Sequence, residues 1–139
     1  MRVAETIEIG RSPEEIWAFV ADHANDPVWC KKVKSAEALG PRRWHVVHKP
    51  VPLRPALTLT VEHLDLDPPQ RLKLREADDV SEFEVEYRLE PISTGTRFTQ
   101  TSEFGWKTMP SLLQKVFAWG VRRDVRNQLR ALKRVLETR

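Results

Sequence analysis

At 139 residues, with 40% apolar and 31% charged side chains, the chain carries enough apolar surface for one globular domain with a single core, and too much for a disordered segment. Its apolar runs are too short to span a bilayer, and residues 1–10 lack the apolar stretch and small-residue cleavage site of a signal peptide, so a cytoplasmic protein with no transmembrane segment is expected. The net charge of +3 is unevenly spread: from residue 110 onward eight Lys/Arg and two Asp/Glu give +6, leaving −3 on residues 1–109. The one cysteine, Cys30, has no internal disulfide partner, which agrees with a reducing compartment, and it reads as a buried inert thiol.

In chain order, Val3, Glu5, Ile7 and Ile9 alternate with Arg2, Ala4, Thr6 and Glu8, which predicts a first strand of mixed burial ending at Gly10. Ser12-Pro13-Glu14-Glu15 is a helix start: Ser12 caps, Pro13 fits the first helical position, and Glu15 stands where a capping box places its carboxylate. Ile16, Trp17, Phe19 and Val20 then predict a short buried helix. The segment Asp22-His23-Ala24-Asn25-Asp26-Pro27 breaks it, and a further helical turn carries Val28 and Trp29.

From residue 33 to 104 the pattern is that of an antiparallel meander. Strands are predicted over 34–39 and 44–49, joined at Gly40-Pro41. Pro50, Pro52 and Pro55 then withhold backbone donors, as at a sheet edge or in an extended loop. Residues 56–66 read as a long strand whose apolar parity shifts from Leu57, Leu59 and Val61 to Leu64 and Leu66, which implies a bulge between its halves. His63 sits at that shift, so its direction stays open. After Asp67-Pro68-Pro69-Gln70, residues 71–76 present a basic outer face. After Ala77-Asp78-Asp79, Phe83, Val85, Tyr87 and Leu89 alternate with Glu82, Glu84, Glu86 and Arg88, an acidic outer face beside the basic one. Ser93-Thr94-Gly95 turns the chain into a last strand over 97–106.

Residues 110–139 organise the rest. Leu113, Phe117, Val121, Val125, Leu129, Leu132 and Leu136 recur at helical spacing and predict one helix of about 27 residues, about 40 Å long, with that face buried. A second line, Met109, Leu112, Val116 and Trp119, widens the apolar arc at its start. Arg122, Arg123, Arg126, Arg130, Lys133 and Arg134 lie between the apolar positions. They form either a solvated face partly paired with acidic groups on the sheet, or a contact surface for an anionic partner. Few aromatics are interleaved with them, so nucleic acid is not expected.

The order is strand, two helices, six strands and a long helix, without repeats or linkers. It resembles the helix-grip fold of the START/Bet v 1-like (SRPBCC) superfamily, in particular the bacterial polyketide cyclase/dehydrase-like proteins. The residues carrying the resemblance are Ser12-Pro13-Glu14-Glu15-Ile16-Trp17, Asp22 with Pro27-Val28-Trp29, the Asp67-Pro68-Pro69 turn, Gly95-Thr96-Arg97, and Leu129 through Leu136. The resemblance implies an α+β fold over residues 1–139 as one domain, with a curved seven-stranded antiparallel sheet wrapped around the C-terminal helix. It also implies a cavity between them for a hydrophobic small molecule such as a lipid, isoprenoid or polyketide-like compound.

The inward parity of the strands places Trp44, Val46 and His48, then Leu59 and Val61, then Leu72 and Leu74 toward that cavity. Phe83, Val85 and Tyr87, then Phe98, Gln100, Ser102 and Phe104, follow from the last two strands. The long helix would add Met109, Leu112, Leu113 and Val116, and the second short helix Trp29. Buried His48, Tyr87 or Gln100 would need hydrogen-bond partners, which a polar ligand or cavity water could supply.

Nucleotide-loop, nucleophile-elbow and zinc signatures are absent, and His45 and His48, three apart on a strand, point to opposite faces, so neither cofactor nor metal is expected. Three functions are compatible with this reading. A non-catalytic binder or carrier needs only the cavity. A metal-independent cyclase or dehydrase would use His48, His63, Tyr87 or Gln100, with a histidine as acid/base. An interaction or toxin-like module would use the basic helix. Monomer and homodimer are both open.

Overall fold

The computed structural model describes residues 1–49, 53, 55–78, 82–104 and 110–139. Its elements follow the predicted order: β1 (Arg2–Ile9), α1 (Pro13–Val20), a 3-10 turn (His23–Asn25), α2 (Asp26–Trp29), then β2 (Val33–Gly40) and β3 (Arg43–His48). β4 (Leu57–Asp67), β5 (Arg71–Ala77), β6 (Glu82–Ile92) and β7 (Gly95–Glu103) complete the strands, and α3 (Ser111–Glu137) ends the chain. The strands form one curved antiparallel sheet in the order β1-β7-β6-β5-β4-β3-β2, so each meander hairpin pairs with its sequence neighbour while β1 closes onto β7. Pro50, Pro52, Asp79 and Met109, named above, and residues 105 and 106 of the expected last strand lie outside the described residues.

The local signals act as their chemistry requires. Ser12 Oγ accepts from the Glu15 backbone N–H at 3.2 Å and donates to Glu15 Oε1 at 3.1 Å, closing the start of α1. The outer faces of β5 and β6 pair diagonally: Arg71 Nε lies 2.9 Å from Glu86, Lys73 3.4 Å from Glu84, and Arg75 3.2 Å from Glu82. The diagonal, rather than the direct cross-strand partner, follows the sheet's twist. The parity shift in β4 is a register break between His63 and Asp65. His63 therefore keeps the inward phase of Leu59 and Val61, and all three are buried.

The C-terminal end of α3 is clamped to the β1–α1 junction. Gly10 N–H donates to Glu137 Oε2 at 2.7 Å, Arg11 Nε–H to the Leu136 carbonyl at 2.8 Å, and Lys133 Nζ to the Glu8 carbonyl at 2.7 Å. Arg11 thereby satisfies a helix-end carbonyl that has no intrahelical partner. Gly95 holds the same corner from the sheet side: its φ is 144°, and a Cβ there would stand 2.1 Å from the Ile9 carbonyl, so only glycine fits. The next residue, buried Thr96, donates its hydroxyl to the Arg11 carbonyl at 2.7 Å.

The helix differs from expectation in how much of its apolar face is covered. Val125, Leu129, Leu132 and Leu136 are buried against the sheet and the short helices. Leu112, Val116, Trp119 and Leu113 are 72%, 60%, 64% and 54% exposed, and Phe117, which meets Phe104 edge-on at 5.4 Å, is also exposed. The packing of α3 is against β1 and α2. A straight helix laid on a curved sheet touches it over part of its length, and here that part is the C-terminal half.

Candidate functional site

The inner face of the sheet is the apolar wall that strand parity predicts. Trp44, Val46, Leu59, Val61, Leu72, Leu74, Val85, Tyr87, Phe98, Gln100, Ser102 and Phe104 are all buried, while Phe83 and His48 are half-buried. Trp29, from α2, is buried with its ring centroid 6.2 Å from that of Tyr87, and Tyr87 lies 5.3 Å from Phe98. Met109 lies outside the described residues. Leu112, Leu113 and Val116 are exposed rather than enclosed, because the first half of α3 is not covered by the sheet.

Against this wall stands a hydrogen-bonded chain that begins in the segment whose sequence signals only a helix break. Asp22 Oδ1 accepts from Ala24 N–H at 3.0 Å, and Asn25 Nδ2 donates to the Phe19 carbonyl at 3.0 Å, which fixes the 3-10 turn. That turn points His23 inward, where it is fully buried. His23 Nδ1 lies 2.8 Å from Asp26 Oδ2, and His23 Nε2 lies 2.8 Å from His63 Nε2. With both rings neutral and Asp26 ionised, one arrangement satisfies these contacts: His23 donates Nδ1–H to the Asp26 carboxylate and accepts at Nε2 from His63. Trp44 packs on both imidazoles, at centroid distances of 4.8 and 4.5 Å.

The electrostatics follow from burial. Burial pushes the Asp26 carboxyl up, and the hydrogen bond from His23 only partly offsets this. His63 is lowered to about 4, first by burial and then by His23 and Arg42, so it is neutral at pH 7. Glu76, on β5 in phase with Leu72 and Leu74, is raised to about 7 by burial of its carboxyl and by Asp26, against a smaller opposing effect of His23. Burial, with Asp26, raises both the Cys30 thiol and the Tyr87 hydroxyl well above their usual ranges. Cys30 is thus a buried protonated thiol, and its carboxylate neighbours work against the thiolate that a nucleophile requires.

Of the histidines considered from sequence, His63 joins this chain and His48 does not. His48 is lowered by burial and by Lys32, with Asp124 opposing, a separate charged neighbourhood. His23, Asp26 and Glu76 escape a reading of the sequence. For Glu76 a signal exists, since the alternation of Leu72 and Leu74 continues inward to residue 76. Among the described residues, Gln100 Oε1 is buried without a protein hydrogen-bond partner, while Asp26 Oδ1 and Trp29 Nε1 lie close enough to each other that the indole N–H favours the ionised carboxyl, without reaching ideal hydrogen-bond geometry. Among the same residues, no group of three or more His, Cys, Asp or Glu side chains is placed to hold a metal ion.

The family model described as polyketide cyclase/dehydrase and lipid transport matches residues 1–137. The chain belongs to that family. Its solved structural neighbours include the protein TTHA0849 from Thermus thermophilus, 20% identical with a TM-score of 0.80, over 99% of this chain and 98% of that one. A START superfamily protein from Mycobacterium smegmatis aligns over 99% and 97% with a TM-score of 0.78 at 16% identity. A Staphylococcus aureus protein of unknown function aligns over 99% and 94% with a TM-score of 0.77 at 14% identity. At such identities the likeness is one of fold. No curated protein matches the sequence. For this member of the polyketide cyclase/dehydrase and lipid transport family, the fold supports binding of hydrophobic ligands, and among the described residues no helix is long and apolar enough to cross a membrane.

Proposed function

We propose that the protein binds a hydrophobic small molecule of lipid, isoprenoid or polyketide-like character between the inner face of the sheet and α3. The observation that supports this reading is the buried apolar inner wall of the sheet, in which Gln100 Oε1 has no protein hydrogen-bond partner among aromatic and aliphatic side chains. A buried acceptor of that kind costs about 1–3 kcal/mol while unpaired, and a guest that is mostly apolar with a small polar part recovers that cost. Leu112, Leu113 and Val116 then form an apolar mouth on the first half of α3. The buried thiol of Cys30 fits a cytoplasmic setting.

The test is to follow the indole N–H resonance of Trp29 by NMR during titration with fatty acids, isoprenoid alcohols and aromatic polyketides. Saturable movement of that resonance by at least one class is expected. No movement with any of them, at concentrations reaching their solubility, contradicts the proposal.

One observation favours a second reading, cyclase or dehydrase chemistry in the same place: the Asp26–His23–His63 chain is an arrangement able to take up and return a proton. It predicts turnover of a poly-β-ketone substrate that falls at least about a hundredfold in His63→Gln while binding is kept.

A further inference from the structure

The side of α3 turned away from the sheet changes character along its length. Leu112, Val116, Trp119, Arg123, Asn127, Arg130 and Arg134 follow one another at steps of four, three, four, four, three and four, so they stack as one stripe, and all are exposed. The stripe lies across the helix from the buried line of Val125, Leu129, Leu132 and Leu136. Its first half is apolar and its second half is cationic, with no acidic residue in either. Arg123 marks the boundary, its guanidinium carbon 5.2 Å from the centre of the Trp119 ring.

The carboxylates that neutralise the helix act beside this stripe rather than on it. Glu5 takes Arg122 and Arg126, and Glu137 takes Lys133. Arg123 reaches Asp124, its neighbour in the chain, at 3.9 Å, and among the described residues Arg130 and Arg134 have no ion pair. An occupant must therefore offer apolar depth beside the first half and negative charge beside the second. An anionic bilayer offers both in one surface, with hydrocarbon just below the lipid phosphates. Tryptophan settles at headgroup level, and arginine pairs with phosphate in bidentate fashion. A second copy of the chain, meeting this stripe with its own, would bring the arginines no acid. Its exposed apolar side chains, Leu112, Leu113, Val116 and Trp119, also fall far short of the about 20–30 residues a side of a stable interface.

We propose that this stripe is a docking face for anionic lipid bilayers: Leu112, Val116 and Trp119 enter the headgroup region while Arg123, Arg130 and Arg134 contact lipid phosphate. The face attaches the protein to a membrane and is separate from the interior that holds the guest. The attachment is reversible, because three apolar side chains insert shallowly and each cation at the surface contributes only about fivefold. Leu112 and Val116 also flank the mouth proposed above, so a docked molecule takes a membrane-dissolved guest without passing it through water. That route, but not the docking itself, rests on the ligand-binding reading.

Sedimentation with sucrose-loaded vesicles tests the proposal, using two parts phosphatidylcholine to one part phosphatidylglycerol beside pure phosphatidylcholine. In low salt the wild-type chain should bind the mixed vesicles at least about tenfold more tightly than the pure ones, and molar salt should remove the difference. Arg123→Gln, Arg130→Gln and Arg134→Gln combined should weaken binding on the order of a hundredfold. Val116→Ser with Trp119→Ser should weaken it at least about tenfold at unchanged charge. All five positions are exposed, and urea midpoints confirm that the variants fold. Lys34→Gln, Arg43→Gln and Arg97→Gln remove equal charge from the sheet. If that control loses as much binding as the helix triple, or if removing Val116 and Trp119 changes nothing, the protein adsorbs by overall charge and the docking face is overturned. Failure to bind the mixed vesicles in low salt overturns it too. Either failure leaves the ligand-binding reading in place, since the Trp29 titration above contains no vesicles.

Discussion

Half-buried Glu76 and buried His63 have proton affinities that move in directions that oppose each other in their effect on stability. The folded chain holds the Glu76 proton up to about pH 7, whereas the unfolded chain releases it near 4.5. That contribution to stability is therefore full below pH 4.5 and is lost as pH rises through 7. His63 is protonated near 6.5 when unfolded and near 4 when folded, so its contribution is full above 6.5 and is lost as pH falls through 4. Between 4.5 and 6.5 the two slopes offset each other. Glu76→Gln removes one of them. The stability of the wild type relative to this variant, from urea unfolding, should fall by on the order of 3 kcal/mol between pH 4.5 and 7.5. A pH-independent difference would show that the Glu76 carboxyl is solvated.

At this scale the sequence is least informative. The inward phase of Trp44, Val46, Leu59, Val61 and Tyr87 can be read from alternation, because a strand repeats every two residues. His63 cannot be oriented until the bulge is placed on its C-terminal side, between His63 and Asp65. His23 and Asp26 lie in a six-residue break without periodicity, and the partner that gives them meaning, His63, is forty positions away from His23 in sequence. Nothing local to the break signals that contact.

At the scale of the element, α3 shows what periodicity can and cannot tell. The 27-residue length and the apolar seam are those the spacing predicts. How far the seam is covered depends on the curvature of a sheet whose bulges lie elsewhere in the chain, so spacing alone assigns Leu113 and Phe117 to a core they do not enter. The two halves should respond differently to substitution. Leu132→Ala, in the buried half, is expected to cost about 2–5 kcal/mol in denaturant unfolding. Val116→Ser, in the exposed half, should stay within about 0.5 kcal/mol of the wild type. A similar large loss for both would mean that the first half of α3 is packed in solution.

Across the whole molecule, the basic helix is partly neutralised by the sheet it lies on. Arg122 and Arg126 reach Glu5 of β1 at 3.4 and 3.0 Å, and within the helix Lys133 reaches Glu137 at 2.8 Å. Such exposed pairs each contribute less than about 1 kcal/mol, so they orient the helix more than they stabilise it. They also reduce the field available to an anionic partner, which makes the basic helix the weaker candidate for the protein's function. The stronger feature is the interior, an apolar wall interrupted by a few fixed polar atoms, in a family described by polyketide chemistry and lipid transport.

Native mass spectrometry of the protein purified from its own host, beside the same sample denatured, tests that claim most directly. The account predicts an excess mass of a few hundred daltons that disappears on denaturation, and a released compound that is hydrophobic. Identical native and denatured masses, unchanged after incubation with a lipid extract of the host, would contradict it.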